Sequence, residues 1–197
     1  MHEQPLHYFL LDRDGVINRR SAHGHPECWD KFEFLPRALE ALRLLAEHHY
    51  AGIIISRQPR KCESAASANE LDPTTRRLLL EVALAGGHIA QVYYCRHRSE
   101  DACGCYNPNA GLIARAKDEY GFPLEESYFV SEGEFDLHAA SDAGCPCIRI
   151  QRDSFLQERG SNEEPYKVAS NLYEAAEQIL ASRLAFEQVY ATVQAQE

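Results

Sequence analysis

Five short apolar runs recur along the chain, four of them followed directly by polar or ligand-type side chains, and they alternate with stretches of helical spacing. That alternation limits the fold more than any other feature. Strands that alternate with helices are joined through crossovers, which makes them parallel neighbours in one sheet. His7–Leu11 (HYFLL) is expected as the first buried strand, Gly52–Ser56 (GIIIS) as the second and Ile89–Tyr94 (IAQVYY) as the third. Ser127–Val130 (SYFV) and Cys147–Ile150 (CIRI) follow as the fourth and fifth. Pro36 stands at a first helical position, with Leu35, Leu39, Leu42 and Leu45 at helical spacing around it. Asp72-Pro73 is a cap and first turn for a helix through about Ala85, closed by Gly86-Gly87. A further helix from about Asn109 stops at Gly121, and a short one covers about Leu137–Ala143. Asn171 followed by Glu174 reads as a capping box for a C-terminal helix over about 168–193. The expectation is an α/β chain, a Rossmann-like parallel sheet with flanking helices, forming one domain over residues 1–197.

Composition removes several classes of function. A formal net charge of -10 argues against non-specific nucleic-acid binding and against docking on an anionic membrane surface. The longest apolar runs fall far short of the roughly 20 residues a membrane span needs. The opening MHEQPLHYFLLDRDG has neither a basic region nor a small-residue cleavage site, so a secretory signal is not expected. Seven cysteines, an odd number at uneven spacing, read as reduced thiols plus metal ligands, and a cytoplasmic location is the default. Cys28, Cys62, Cys145 and Cys147 are taken as core or surface thiols.

In folds of this class function lies outside the carboxyl ends of the strands. The first such position is Asp12-Arg13-Asp14-Gly15, two carboxylates on a turn that glycine permits. An aspartate there can attack phosphorus to give an aspartyl-phosphate, while the second moves a proton to the leaving oxygen and later takes one from water. Such a site needs a cation between carboxylate and phosphate, and Mg²⁺ is the expected one. After the third strand, Cys95-x-His97-x5-Cys103-x-Cys105 offers three thiolates and an imidazole. That is a closed tetrahedral donor set, expected to hold a structural Zn²⁺ that staples a small loop.

FLLDRDGVIN (Phe9–Asn18), WDKFEFLPRALEALRLL (Trp29–Leu45), YYCRHRSEDACGCYNPNAGLIARA and DLHAASDAG together resemble the haloacid dehalogenase-like phosphatases. Within them the chain is most similar to the branch of D-glycero-D-manno-heptose-1,7-bisphosphate 7-phosphatases and histidinol-phosphate phosphatases, over roughly residues 6–150. The resemblance implies a Rossmann-like core without a large cap domain and Mg²⁺ dependence. It also implies Asp12 as nucleophile and Asp14 as general acid/base, with a small phosphorylated sugar as substrate. Carried over by motif, Ser56, Arg57, Gln58 and Asn107 would contact phosphate or substrate, and Asp12, Asp14, Glu132 and Asp136 would hold Mg²⁺.

The chain departs from that pattern in three places. Ser56-Arg57-Gln58 stands where the family has Thr-Asn-Gln, and the glycines that normally follow give way to Pro59-Arg60-Lys61-Cys62. Cys105-Tyr106-Asn107-Pro108 replaces Cys-Arg-Lys-Pro, exchanging a lysine for an amide that donates a hydrogen bond but carries no charge. Ser131-Glu132-Gly133 replaces the Gly-Asp motif. Two readings therefore stand: a Mg²⁺-dependent phosphomonoesterase working through an aspartyl-phosphate, and a catalytically impaired relative that binds a ligand or partner. His23 and His25 fall where the family has a substrate-gating flap, and Leu184, Phe186, Val189 and Tyr190 form a C-terminal face on which a protein partner could dock.

Overall fold

The computed structural model describes residues 6–20, 28–58, 71–97, 103–105, 110–152 and 166–194. Strands β1 (His7–Leu11), β2 (Tyr50–Arg57), β3 (Ile89–Cys95), β4 (Phe129–Ser131), β5 (Cys147–Ile150) and β6 (Lys167–Ala169) form one sheet in the order β3-β2-β1-β4-β5-β6. Every pairing in it is parallel. The order reverses between β1 and β4, which makes the carboxyl ends of these two strands the topological switch point where ligands bind in open α/β sheets. The sheet matches the Rossmann-like expectation and adds β6, an edge strand too short to carry an apolar run.

The helices are α1 (Ala38–Glu47), α2 (Pro73–Leu84), α3 (Gly111–Tyr120), α4 (Glu134–Asp142) and α5 (Leu172–Gln194). Side chains alternate across each strand, so the sheet buries two faces. Phe9, Leu11, Ile54, Val92, Val130 and Ile148 pack with α1, α2 and α5 on one face. Leu10, Ile53, Ile55, Tyr93, Phe129 and Cys147 pack with α3 and α4 on the other. Burying one such aliphatic side chain contributes about 1.5–3 kcal/mol, so the two clusters outweigh any single polar contact in holding the layers together.

Asp72 caps α2 as expected, accepting from the Thr75 amide at 3.0 Å, with Pro73 in the first turn. The start of α1 differs: Arg37 has φ 62, so the helix begins at Ala38 and Pro36 lies outside it. Arg37 is held there by Glu40 (3.1 Å) and by the face of Tyr173, 3.3 Å from the ring centroid. At α5 the Asn171 side chain accepts from the Tyr173 and Glu174 amides (2.9 and 3.1 Å), while Glu174 reaches back to the Ser170 amide at 2.8 Å. Among the described residues no helix is long and apolar enough to cross a membrane.

Candidate functional site

The amide of Asp12 donates to the Val130 carbonyl at 2.9 Å, which ties the end of β1 to β4 across the switch point. The chain then turns: Val16, Ile17 and Asn18 all donate to the Arg13 carbonyl, and Gly15 takes φ 91. A Cβ at Gly15 would collide with the Glu132 carboxylate, so glycine is needed there for both backbone and space.

Asp12 is buried, and its Oδ1 accepts from the Arg13 amide at 2.6 Å. Burial pushes its carboxyl up to about 7. The negative charges of Asp136 and Asp14 add to the rise, while hydrogen bonds from Ser56 and the Arg13 amide oppose it. Asp14 accepts from Asn18 Nδ2 (2.8 Å), Gln58 Nε2 (2.7 Å) and the Arg13 guanidinium (3.1 Å). Gln58 also donates to Ser56 Oγ at 3.3 Å. The structure thus brings Asp12, Asp14, Ser56 and Gln58 together at the ends of β1 and β2, and Asp136 close enough to act on Asp12. Arg57 is exposed at the end of β2. Asn107, Arg60, Lys61, Cys62, His23 and His25 lie outside the described residues, as do the side chains of Phe186, Val189 and Tyr190.

Arg13 was not singled out in the sequence, yet it is 1% exposed. Its guanidinium pairs with Asp14 and donates to the Tyr94 hydroxyl at 3.2 Å, which in turn meets Thr75 Oγ1, itself a donor to the capping Asp72. A partly buried chain of polar groups therefore runs from the start of α2 to the Asp14 carboxylate. The available signal was a basic residue between two acids directly after a buried strand, since so placed it must be paired to be buried. Arg152, after β5, was also missed; it donates to the Gly15 carbonyl (2.7 Å) and to Glu132 Oε1 (2.5 Å).

At the end of β3 the four expected ligands converge. The ligand atoms of Cys95, His97, Cys103 and Cys105 all lie within 4.8 Å of one another. Cys95 Sγ is 3.5 Å from Cys103 Sγ and 3.8 Å from His97 Nδ1, and Cys105 Sγ is 3.5 Å from the same nitrogen. Four ligands about 2.0–2.3 Å from a shared zinc in a tetrahedron would stand about 3.5–3.8 Å apart, so the set fits such an ion. Burial, chiefly, pushes the Cys95 thiol to about 11 and raises Cys105 as well, so a bound metal would have to displace protons. Gly111 lets the start of α3 lie directly on the Gly104 carbonyl, where a Cβ would clash, and the Leu112 amide donates to the Cys105 carbonyl at 2.8 Å. Cys145 and Cys147 are buried thiols packed against backbone carbonyls, as expected of core cysteines, and Cys28 is exposed.

The carboxylates do not converge in that way. Among the described residues the Cys/His cluster is the only group of three or more His, Cys, Asp or Glu side chains whose ligand atoms meet within 4.8 Å. Asp12, Asp14, Glu132 and Asp136 form no such group, and Glu132 is engaged by Arg152 at 2.5 Å and by Arg20 at 3.8 Å. Magnesium is usually held by one or two carboxylates, with waters and phosphate oxygens completing its octahedron, and here the Glu132 carboxylate is already taken up by arginines.

No protein-family model matches the chain. It is 28% identical over 142 residues to the D-glycero-beta-D-manno-heptose-1,7-bisphosphate 7-phosphatase of Pseudomonas aeruginosa, covering 72% of this chain and 79% of that protein. The crystal structure of D,D-heptose 1,7-bisphosphate phosphatase from B. bronchiseptica, complexed with magnesium and phosphate, superposes with a TM-score of 0.78 at 25% identity. That match covers 90% of this chain and 99% of the other. The L-2-haloacid dehalogenase of Xanthobacter autotrophicus shares the fold at a TM-score of 0.59 and 14% identity, covering 89% and 98%. The chain is a relative of the haloacid dehalogenase-like phosphatases.

Proposed function

We propose that the chain is a phosphomonoester hydrolase acting on a small phosphorylated sugar of the heptose bisphosphate kind. The observation that carries this reading is Asp12, a buried carboxylate fixed at the switch point by β4, on a chain whose relatives are heptose bisphosphate phosphatases. In the first step an Asp12 oxygen attacks phosphorus, the bond from phosphorus to the sugar oxygen breaks, and Asp14 gives a proton to the departing alkoxide. In the second, water attacks the phosphorus of the acyl phosphate as Asp14 takes its proton. Inorganic phosphate leaves and the Asp12 carboxylate is restored.

Arg13, Asn18 and Gln58 would orient Asp14 for both transfers, and the Ser56 hydroxyl, which bonds Asp12 here, would turn to a phosphate oxygen of the substrate. Of the Mg²⁺ set implied by the resemblance, Glu132 is held by Arg152 here, and no step is routed through the ion. The Cys/His cluster would hold Zn²⁺, which would fix the loop that follows β3 and carries Asn107 in its continuation. A cytoplasmic setting suits a site built on reduced thiols. A second reading, a relative that binds a phosphorylated ligand without turning it over, is favoured by the commitment of Glu132 to Arg152. The two are separated by phosphate release from a panel of sugar phosphates: turnover that is lost in Asp12→Asn supports the hydrolase, and no release from any member supports the binding protein.

A further inference from the structure

Arg152 reaches the turn after β1 from the end of β5, two strands along the sheet. One arm of its guanidinium donates to the Gly15 carbonyl at 2.7 Å, and the other to Glu132 Oε1 at 2.5 Å. The second Glu132 oxygen lies against the Gly15 Cα and faces Arg20 Nε at 3.8 Å. Arg20 also donates to the Asp14 carbonyl at 3.4 Å. Two guanidiniums from opposite ends of the chain therefore meet on the turn and on Glu132, the first acidic side chain after β4. The Glu132 oxygens and the Asp14 and Gly15 carbonyls are all hard donors of the type a divalent cation takes, and each already faces an arginine.

We propose that Arg152 is a resident counter-cation: it competes with a divalent ion for Glu132 and lets the site accept a phosphate group without one. Arg152 offsets one of the negative charges that a phosphate would face. Asp12, Asp14, Glu132 and Asp136 bring four formal negative charges, and Arg13, Arg20 and Arg152 bring three positive ones, leaving one net negative charge before any ligand enters. For magnesium to use Glu132, the ion would have to break the hydrogen bond from Arg152 to Oε1 and then sit beside the displaced guanidinium. A phosphate need not break that contact, and Arg152 lowers the repulsion it meets from the carboxylates. The Arg152 side chain is 37% exposed, and a planar guanidinium suits phosphate oxygens geometrically.

The competition stands on geometry alone; the phosphate arm rests on the phosphohydrolase reading. The test is titration calorimetry on the full, zinc-replete chain. With MgCl₂ as titrant, Arg152→Ala or the length-keeping Arg152→Gln is expected to bind about fivefold more tightly than the unaltered chain. Adding Glu132→Gln is expected to remove that gain. Magnesium affinity that is unchanged or weakened in both Arg152 variants overturns the competition. With inorganic phosphate in magnesium-free buffer, the unaltered chain is expected to bind, and Arg152→Gln to lose about tenfold or more. Phosphate binding that appears only once magnesium is added overturns the second arm. If phosphate binds under neither condition while the magnesium arm behaves as expected, the phosphohydrolase reading falls and the competition stands.

Discussion

The Cys/His cluster at the end of β3 and the carboxylate set at the ends of β1 and β4 each offer four ligand-type residues on one edge of the same sheet. They differ in where the donors are turned. In the cluster the sulfur and nitrogen atoms face one another at 3.5–3.8 Å. In the carboxylate set Asp14 faces Arg13, Asn18 and Gln58, Glu132 faces Arg152, and burial raises the Asp12 carboxyl to about 7. Ligand-type residues at the right spacing make a metal site only when their donors are directed at one another. Where the protein supplies its own cations, the same residues make a polar network instead.

That contrast is broken most severely by removing a thiol. Cys95→Ser or Cys103→Ser is expected to abolish stoichiometric zinc and lower Tm by more than about 10 °C, because binding energy at such a cluster is folding energy. Glu132→Gln should move Tm by a small fraction of that. Metal analysis and thermal unfolding of the same samples check both, and equal losses would erase the distinction between the two sites.

Next in size is Arg13→Ala, expected to cost about 3 kcal/mol in urea unfolding, since it leaves the buried Asp14 carboxylate without its cation. An effect as small as that of a surface pair would mean the carboxylate set does not depend on built-in charge.

Asp12→Asn tests the same idea through pH. The Asp12 carboxyl rises from 3.8 to about 7 on folding, so the folded state binds more protons than the unfolded one between those values. The stability this contributes is fully present below 3.8 and is lost as pH rises through about 7. The unaltered chain should therefore lose stability between pH 4 and pH 8 relative to Asp12→Asn, by on the order of 2–4 kcal/mol. Denaturant curves at the two pH values measure it, and parallel pH dependence in both proteins would contradict it. In the active protein kcat/KM should climb through the same pH range as Asp12 ionises. The smallest effect belongs to Arg19–Glu33, both 63% exposed and 3.0 Å apart, whose coupling in a double-mutant cycle should stay below about 0.5 kcal/mol.

The strands were legible because a buried parallel strand must be apolar on both faces, and His7–Leu11 and Cys147–Ile150 fall where that rule places them. Lys167–Ala169 was not, being an edge strand of three residues with two of them exposed. The start of α1 was misread because Pro36 is a usual first helical residue, whereas Arg37 adopts φ 62 for contacts with Glu40 and Tyr173 that local sequence does not show. Asp12, Asp14 and the four zinc-type ligands could be read from spacing, since their geometry is set within a few residues of chain. Arg152 could not. Its partner Gly15 is 137 positions away, and only the strand order brings them together.

The most direct test of the account is whether Asp12 becomes phosphorylated. The unaltered chain, quenched in acid during turnover of a sugar phosphate, should yield a peptide carrying phosphate on Asp12, seen by mass spectrometry and absent from Asp12→Asn. Phosphate release that continues in Asp12→Asn, or turnover without any phosphorylated Asp12 peptide, would contradict it.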